Sequence, residues 1–464
     1  MRVASIDQGT TSTRCLVVED GGEWKIVASR KHGQDHPFAG WVEHDPHELL
    51  KNIVTVLDAA GTVDAVAIAN QGESCLAWDA ETKEALSPVI VWQDSRTTKY
   101  LADLGSDAEE TSKRICGFPL DPYFSASKLA WLLRHVPSIE EAYKAGRLRL
   151  GTTDAFFLDS LADIFATDLA TASRTGLLDL ATGTWSDELC TLHGVPRECL
   201  PRIANVDDDF GQINGIPVKA SIVDQQAALF GHGCRKPGDC KITFGTGAFL
   251  LAVSGNERPP QSELLPTVAW ALKDSGTAFA IEGGVYDAGS ALEWARNIGL
   301  YSALEELGVF EGPSALSRGI IFVPALSGLA APYWDRTAAP MFIGMDHATD
   351  RRDLVRAVLE GIAMLTVGLI KAASEVTDLG PSISIDGGLS QSAYFAQFLA
   401  SASARTITVP AMHELTALGL AEFCGLDVTA ARDRSVRYEP DGSVTEAHHA
   451  LFKKAVERSR GWRD

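Results

Sequence analysis

The sequence VASIDQGTTSTRCLVV occupies residues 3–18 and decides how the first part of the chain folds. Val3 to Ile6 and Arg14 to Val18 are apolar, β-prone runs, and a polar Gly/Thr turn separates them. Two such runs joined by a short turn predict a β-hairpin. About half a chain later, residues 241–253 read KITFGTGAFLLAV and repeat the arrangement. We therefore predict two related halves.

Strands and helices alternate along the chain, which favours an α/β architecture. The run Asp45-Pro46-His47-Glu48 has the pattern of a helix start, with an Asp cap, Pro at the first helical position and an acid three residues after the cap. The other predicted segments are strands at Ala65–Ala69, Val89–Trp92 and Ile383–Ile385, an amphipathic helix from about Arg352 to Glu375, and a helix from about Ser392. We place a boundary near residue 232, which gives lobes 1–232 and 233–464.

Composition narrows the class of protein. The 464 residues include 61 Asp and Glu against 41 Lys and Arg, for a net charge of −20. This acidic balance opposes binding to nucleic acid or to an anionic membrane surface. No apolar run approaches the roughly 18 residues of a membrane span, and the eight cysteines are scattered without a C-x-x-C pair. We expect a cytoplasmic protein with reduced thiols and no nucleic-acid or membrane partner.

Three Gly-containing turns, each directly after a predicted strand, are candidate phosphate contacts. In the first, Gly9 allows a tight turn, the amides and hydroxyls of Thr10 and Thr11 can donate to phosphate oxygens, and Asp7 can hold Mg²⁺ through water. The others are residues 245–247 and 386–388. Any one of them is equally compatible with a plain hairpin turn, but three together favour a nucleotide site. Neither a Walker A loop nor a dinucleotide fingerprint is present.

Longer motifs carry a resemblance to a known family. Matching segments, in order, are residues 7–14 (DQGTTSTR), 40–46 (GWVEHDP), 90–97 (IVWQDSRT), 123–131 (YFSASKLAW), 172–175 (ASRT), 224–231 (DQQAALFG) and 331–335 (APYWD). With these motifs the chain resembles the FGGY carbohydrate kinase family over essentially its whole length, and its glycerol kinase branch most.

The resemblance implies two actin-like (ribonuclease H-like) lobes with a central cleft, polyol bound mainly by the first and ATP by the second. It implies ATP-dependent phosphorylation of a primary hydroxyl of a small polyol, with glycerol the first candidate, and Asp224 as the catalytic base. The implied acceptor contacts are Glu73, Trp92, Tyr123, Asp224, Gln225 and Phe249. The implied nucleotide contacts are Thr11, Ser12, Arg14, Gly245, Thr246, Gly289, Gly388 and Ser392, with Asp7 positioning Mg²⁺.

One departure from the family bears on the acceptor. Glycerol kinases carry an arginine where this chain has Gly72, and that arginine donates to glycerol hydroxyls. Hydrogen bonds involving a charged group contribute roughly 1.5–3 kcal/mol. Two interpretations remain open: a glycerol kinase that uses water or another side chain at the gap, or a kinase for a longer polyol or a ketose of the xylulose or ribulose type.

Smaller departures affect the adenine side, where Ser392 replaces a usual asparagine and Glu293 a usual glutamine. A hypothesis from a different class is a non-catalytic, actin-like nucleotide-binding regulator. The retained Asp224 disfavours it, because a regulator needs no base beside the γ-phosphate. We also expect a homodimer or higher homo-oligomer.

Overall fold

The computed structural model describes residues 1–463; Asp464, the last residue of the predicted second lobe, lies outside the described residues. The first half contains strands β1 (Arg2–Gln8), β2 (Ser12–Glu19), β3 (Trp24–Lys31), β4 (Glu43–His44), β5 (Ala65–Asn70), β6 (Cys75–Asp79), β7 (Val89–Ile90), β8 (Leu148–Thr152), β9 (Ala166–Asp168), β10 (Leu178–Asp179), β11 (Thr184–Trp185), β12 (Arg202–Ala204), β13 (Gln212–Ile213) and β14 (Ile216–Val223). The second half contains β15 (Cys240–Phe244), β16 (Ala248–Gly255), β17 (Leu265–Leu272), β18 (Gly276–Val285), β19 (Ile321–Val323), β20 (Met341–Ile343), β21 (Ser382–Gly387), β22 (Thr406–Pro410) and β23 (Ser435–Tyr438).

Helices cover the sheets and connect their strands. They are α1 (Pro46–Asp58), α2 (Thr98–Leu104), α3 (Ser106–Ile115), α4 (Ser125–His135), α5 (Pro137–Lys144), α6 (Thr153–Ala162), α7 (Leu169–Ser173), α8 (Asp187–His193), α9 (Asp224–Gly231), α10 (Gly289–Asn297), α11 (Arg351–Val376), α12 (Ala393–Ser403), α13 (Leu415–Phe423), α14 (Thr429–Arg432) and α15 (Glu446–Ser459).

The two halves are built on the same five-stranded order. In the first sheet the order is β3-β2-β1-β5-β14, and in the second it is β18-β16-β15-β21-β22. In each, the first three strands of the order are antiparallel neighbours, and the remaining two pair in parallel. The hairpins β1–β2 and β15–β16 occupy equivalent positions. The predicted relation between the halves is therefore confirmed by topology.

The individual elements predicted from the sequence are present, with small differences in length. Asp45 caps α1 by accepting a hydrogen bond from the His47 amide at 2.9 Å. The predicted strand at Val89–Trp92 is shorter than expected, because pairing stops at Ile90 and leaves Trp92 in the loop beyond. The longest helix, α11, has 26 residues. Neither α11 nor any other helix in the described residues has the length and apolar content to cross a membrane.

A continuous hydrophobic core joins the two lobes at the base of the cleft. One cluster combines buried residues of the first lobe, such as Phe118 and Ile222, with Trp270 and Ala280 of the second. A separate cluster fills the second lobe behind β15 and β21, and a third covers the opposite face of the first sheet. Apolar packing therefore holds the two lobes together along one side of their junction.

Helices α9 and α13 cross at very close range within this joint. Helix α13 lies between β22 and β23 of the second sheet in the chain, yet it packs against α9 and against β1 and β5 of the first sheet. Glycines permit the approach. A Cβ at Gly231 would lie 1.9 Å from the Leu415 carbonyl oxygen, and a Cβ at Gly419 would lie 2.0 Å from the Ala227 carbonyl oxygen. The crossing restricts the position of α9, the helix that begins at Asp224.

We expect Gly419→Ala to destabilise the protein, although alanine is ordinarily the better helix former by up to about 1 kcal/mol. The added methyl would meet the Ala227 carbonyl, so the two helices must separate, at a cost typical of overpacking, about 1–3 kcal/mol or more. Urea unfolding measures the change. The matched control is Gly33→Ala, whose Cβ meets nothing closer than Glu48 Oε2 at 3.8 Å. Unfolding of Gly419→Ala at or above the wild-type midpoint would show that the crossing is loose.

Candidate active site

A small cavity of about 90 Å³ lies where the two lobes meet. It has room for a few water molecules or one small ligand. All six acceptor residues expected from the sequence line it, which brings together side chains from five separate parts of the chain. The complete lining is Thr10, Gln71, Gly72, Glu73, Trp92, Tyr123, Arg174, Val223, Asp224, Gln225, Gln226, Phe249 and Glu282.

Asp224 stands at the junction of β14 and α9, as the first residue of that helix. One of its carboxylate oxygens accepts a hydrogen bond from the Gln225 amide at 2.7 Å. Burial, and next the neighbouring Asp7 carboxylate, raises the pKa of Asp224 to about 7. A carboxylate with this pKa exchanges protons near neutral pH, as a general base requires.

Glu73 occupies the turn between β5 and β6 and adopts a left-handed backbone conformation with φ 56°. This conformation is costly for a residue other than glycine, and such residues cluster at functional sites. The turn is held on both sides, because the Glu73 carbonyl accepts from the Ser125 hydroxyl at 2.8 Å and the Ser74 amide donates to the Gly72 carbonyl at 2.6 Å. Burial raises the pKa of Glu73 to about 7, against the lowering effect of Arg174.

Three aromatic side chains form one wall of the cavity. The rings of Trp92 and Tyr123 meet edge to face at 5.7 Å, and Phe249 reaches the wall from the second lobe. The Trp92 indole donates to the Thr10 hydroxyl at 3.0 Å. Lys128, fully buried, donates to the backbone carbonyls of Tyr123 at 2.7 Å and Trp92 at 3.4 Å. Beyond the wall lies a larger groove of about 890 Å³, lined by the same three aromatics.

Arg174 links the two lobes across the cavity. Its Nε donates to Glu73 at 2.6 Å in the first lobe, and its Nη2 donates to Glu282 at 3.1 Å in the second. The guanidinium is 2% exposed. Arg174 directly follows α7, a short helix capped by the buried Asp168, which accepts from the amides of Ala170 and Thr171. The cap fixes the helix that delivers the guanidinium.

Gln225 is held by a second buried cation. The ammonium of Lys241, on β15, donates to Gln225 Oε1 at 2.6 Å and to the Thr243 hydroxyl at 2.9 Å. Burial lowers the pKa of Lys241, and the nearby Asp386 and Asp224 carboxylates act in the opposite direction. The positive charge also lowers the pKa of Asp224. Lys241 therefore connects the second sheet with Asp224 and with its neighbour Gln225 on α9.

The second lobe gathers four of the expected nucleotide residues at one end of its sheet. Gly245 and Thr246 form the turn after β15, and the Gly289 amide donates to the Gly245 carbonyl at 3.0 Å. A Cβ at Gly289 would lie 2.4 Å from that oxygen, so only glycine fits there. In the parallel ladder Phe244 pairs with Gly387, which places Gly388 beside the same turn. Gly245, Thr246 and Gly388 are exposed, and a Cβ at Gly388 would meet nothing within 4 Å.

The remaining expected nucleotide residues lie elsewhere. Thr11, Ser12 and Arg14 belong to the β1–β2 hairpin of the first lobe, and Arg14 forms an ion pair with Glu414, the residue before α13. Ser392 caps α12: its hydroxyl accepts from the Phe395 amide at 3.2 Å and donates to the Leu307 carbonyl at 2.9 Å. With both bonds made, Ser392 has little capacity left for a base.

Asp7 lies on β1 opposite Arg14, close enough to Asp224 for its charge to raise the pKa of that carboxyl. Burial, and next Glu414, raises the pKa of Asp7 to about 6. Among the described residues no group of three or more His, Cys, Asp or Glu side chains could hold a metal ion alone. Mg²⁺ is usually held by one or two carboxylates plus phosphates and waters, and Asp7 fits that manner of binding.

Sequence reasoning did not single out Glu282, Arg174 or Val223 as cavity residues. Glu282 carried a usable signal, since it is the one charged residue in the otherwise apolar run of β18, GTAFAIEGGV. Arg174 was noticed only as part of a matching motif. Its meeting with Glu282, 108 residues further along, has no local signal.

Comparison with known proteins gives a consistent result. The model of the FGGY family of carbohydrate kinases, N-terminal domain, matches residues 2–231, and the C-terminal domain model matches residues 240–426. A glycerol kinase of Nocardia farcinica is 36% identical, covering 99% of both chains, and one of Thermus brockianus is 38% identical, covering 99% of this chain and 98% of the relative. The crystal structure of Plasmodium falciparum glycerol kinase with ADP superposes with a TM-score of 0.90 at 28% identity, covering 99% of this chain and 98% of that one. The two actin-like lobes expected from the sequence are thereby confirmed, and the chain belongs to the FGGY family of carbohydrate kinases.

Proposed function

We propose that the chain is an ATP-dependent glycerol kinase, which transfers the γ-phosphoryl group of ATP to a primary hydroxyl of glycerol and yields glycerol 3-phosphate. The observation that carries the proposal is the small cavity in which Asp224 and Glu73 face an aromatic wall. Carboxylates accept hydrogen bonds from hydroxyls, and the aromatics contact the carbon chain of a polyol. The full-length similarity to glycerol kinases supports the same acceptor.

Asp224 is the general base of the proposed reaction. It accepts the proton of the attacking hydroxyl as the oxygen–phosphorus bond forms and the bond to ADP breaks. Phosphoryl transfer otherwise requires in-line positioning and compensation of phosphate charge. The turns of both lobes supply backbone and hydroxyl donors for that purpose, from Thr11 and Ser12 on one side and Gly245 and Thr246 on the other. Arg14 supplies a positive charge on the first lobe.

ATP binding is assigned mainly to the second lobe (233–464), with Gly289 and Gly388 beside the adenosine, and acceptor binding to the first (1–232). Mg²⁺, when bound, would neutralise phosphate charge, and Asp7 would hold it through water. For Ser392 we propose that the hydroxyl caps α12 instead of contacting adenine, because both of its hydrogen bonds are made within the protein. An acidic chain with seven buried cysteines fits a cytoplasmic enzyme.

Gly72 supports a second candidate, a kinase for a larger polyol or ketose. At this position the cavity wall carries no side chain, and the groove beyond the aromatic wall offers further space. The two candidates are separated by an ATP-consumption screen over glycerol, tetritols, pentitols and ketoses, with the phosphorylated product identified by mass spectrometry. Glycerol is expected to give the highest kcat/KM. Turnover of a pentitol or ketose without glycerol turnover would overturn the proposal.

Replacing the base tests the mechanism. Asp224→Asn keeps the size of the side chain but cannot accept the proton, so kcat should fall by about 10²–10⁴-fold. ATP affinity, measured by calorimetry, should remain near the wild-type value. The control is Asp187→Asn on the surface of the first lobe, where the side chain is 79% exposed. Near-normal turnover in Asp224→Asn would mean that another group is the base.

The pH profile tests the electrostatics around the base. Asp224 acts in its charged form, so kcat/KM for glycerol should rise with pH through about 7. Lys241→Met removes a positive charge that lowers this pKa, and the rising limb should move to higher pH. Lys236→Met, at an exposed position, is the control and should leave the profile unchanged. A limb that stays in place or moves to lower pH would exclude Lys241 as an electrostatic partner of the base.

A third substitution tests the role of Gly72. An arginine there would project into the cavity and should reduce the turnover of tetritols and pentitols more than that of glycerol. Its Cβ would lie 3.0 Å from Val223 Cγ2, so the variant is best made together with Val223→Ala, and Val223→Ala alone is the control. Equal effects on all acceptors, or none, would show that residue 72 does not limit acceptor length.

A further inference from the structure

Arg174 is the one basic side chain among the residues that line the acceptor cavity. A guanidinium has five N–H donors, and only Nε and Nη2 form hydrogen bonds, to Glu73 and Glu282. The third nitrogen, Nη1, is buried and lies 3.0 Å from Glu282 Oε2 without forming a hydrogen bond. A buried donor without an acceptor is unfavourable. Arg174 therefore brings to the cavity lining a cation whose Nη1 is ion-paired with Glu282 but carries N–H groups that no hydrogen bond within the protein uses.

Among the described residues no second cation lines the cavity. Two further buried cations lie nearby, but Lys241 is engaged with Gln225 and Thr243, and Lys128 with the backbone carbonyls of Tyr123 and Trp92. Gly72 contributes no side chain at all. A hydroxyl oxygen of a bound polyol can accept from Nη1, while the hydroxyl proton can go to a carboxylate such as Glu73. Paired donor and acceptor groups of this kind recognise a hydroxyl specifically.

We propose that Arg174 is a specificity-determining residue that donates through Nη1 to one hydroxyl of the acceptor, in the role left open at Gly72. This rests on the proposed function, a kinase acting on a small polyol. Because the same guanidinium bonds Glu73 in the first lobe and Glu282 in the second, it ties the acceptor to both lobes. Acceptor recognition and the contact between the lobes then share one side chain.

The experiment compares glycerol with two analogues, 1,2-propanediol, which lacks a terminal hydroxyl, and 1,3-propanediol, which lacks the central one. For Arg174→Gln the KM for glycerol should rise by roughly 10- to 150-fold, the equivalent of one hydrogen bond from a charged donor, with the KM for ATP unchanged. The wild-type preference for glycerol over one of the two diols should shrink by about the same factor. The hydroxyl missing from that diol is the one that Arg174 contacts.

A purely structural role for Arg174 predicts a different result. The double variant Arg174→Gln/Glu282→Gln also neutralises Glu282, the carboxylate that loses its cation in Arg174→Gln. If the role of Arg174 is only structural, this second substitution should relieve the defect and restore the KM for glycerol. A lost donor should keep the KM high in this double variant. Arg174→Lys keeps the positive charge but not the planar set of N–H donors, so its KM should be intermediate. It also keeps the test valid if the glutamine variant fails to fold. Arg149→Gln is the control, since Arg149 also pairs with a buried carboxylate, Asp159, but lies outside the cavity.

Two outcomes would overturn the inference, and they are distinguishable. If the wild-type enzyme turns over glycerol but the diol preferences are the same in Arg174→Gln, or the double variant recovers the wild-type KM, Arg174 does not contact the acceptor. If the wild-type enzyme phosphorylates neither glycerol nor another small polyol, the proposed function fails and the role of Arg174 fails with it.

Discussion

Negative charge gathered at the junction of the lobes is the constraint on which the site depends. Asp7, Glu73, Asp224 and Glu282 lie in one water-poor region, and burial raises the pKa of the first three to between about 6 and about 7. Carboxylates are protonated in such surroundings unless cations or donors compensate them. Three cations do so, each on a different element: Arg174 beside Glu73 and Glu282, Lys241 beside Asp224, and Arg14 on the strand opposite Asp7. The balance leaves Asp224, the proposed base, with a pKa of about 7, where a small change of nearby charge alters its protonation at neutral pH.

Such a balance requires that the two lobes be held in a definite relation. Two features supply it: the continuous core at the base of the cleft and the close crossing of α9 and α13. Helix α9 carries Asp224 at its amino-terminal end, and Glu414, which pairs with Arg14, directly precedes α13. The backbone contact between these helices therefore connects Asp224, the proposed base, with the β1–β2 hairpin that carries Arg14.

The sequence predicted the parts of this structure whose signals are local. The hairpins, the capped start of α1 and the long helix α11 follow from alternation, capping residues and helical spacing, and each lies within a residue or two of its predicted bounds. Contacts between distant segments were beyond such reasoning. Nothing in residues 415–423 indicates that α13 returns to the first sheet, and nothing near Arg174 indicates Glu282. The missing side chain at Gly72 was visible in the sequence, but the guanidinium that faces the same cavity was found only in three dimensions.

The small cavity is bounded by an aromatic wall to which both lobes contribute. Trp92 is fixed by Thr10, and the backbone of both Trp92 and Tyr123 is held by the buried Lys128, so the first lobe presents two rings in a rigid arrangement. Phe249 completes the wall from the second lobe and separates the small cavity from the groove of about 890 Å³. Because one of the three rings belongs to the other lobe, the cavity is enclosed only while the lobes are in contact. The ion pair of Arg174 with Glu282 spans that contact, and Glu282 also raises the pKa of Asp224, so this pair links the contact between the lobes with the electrostatics of Asp224.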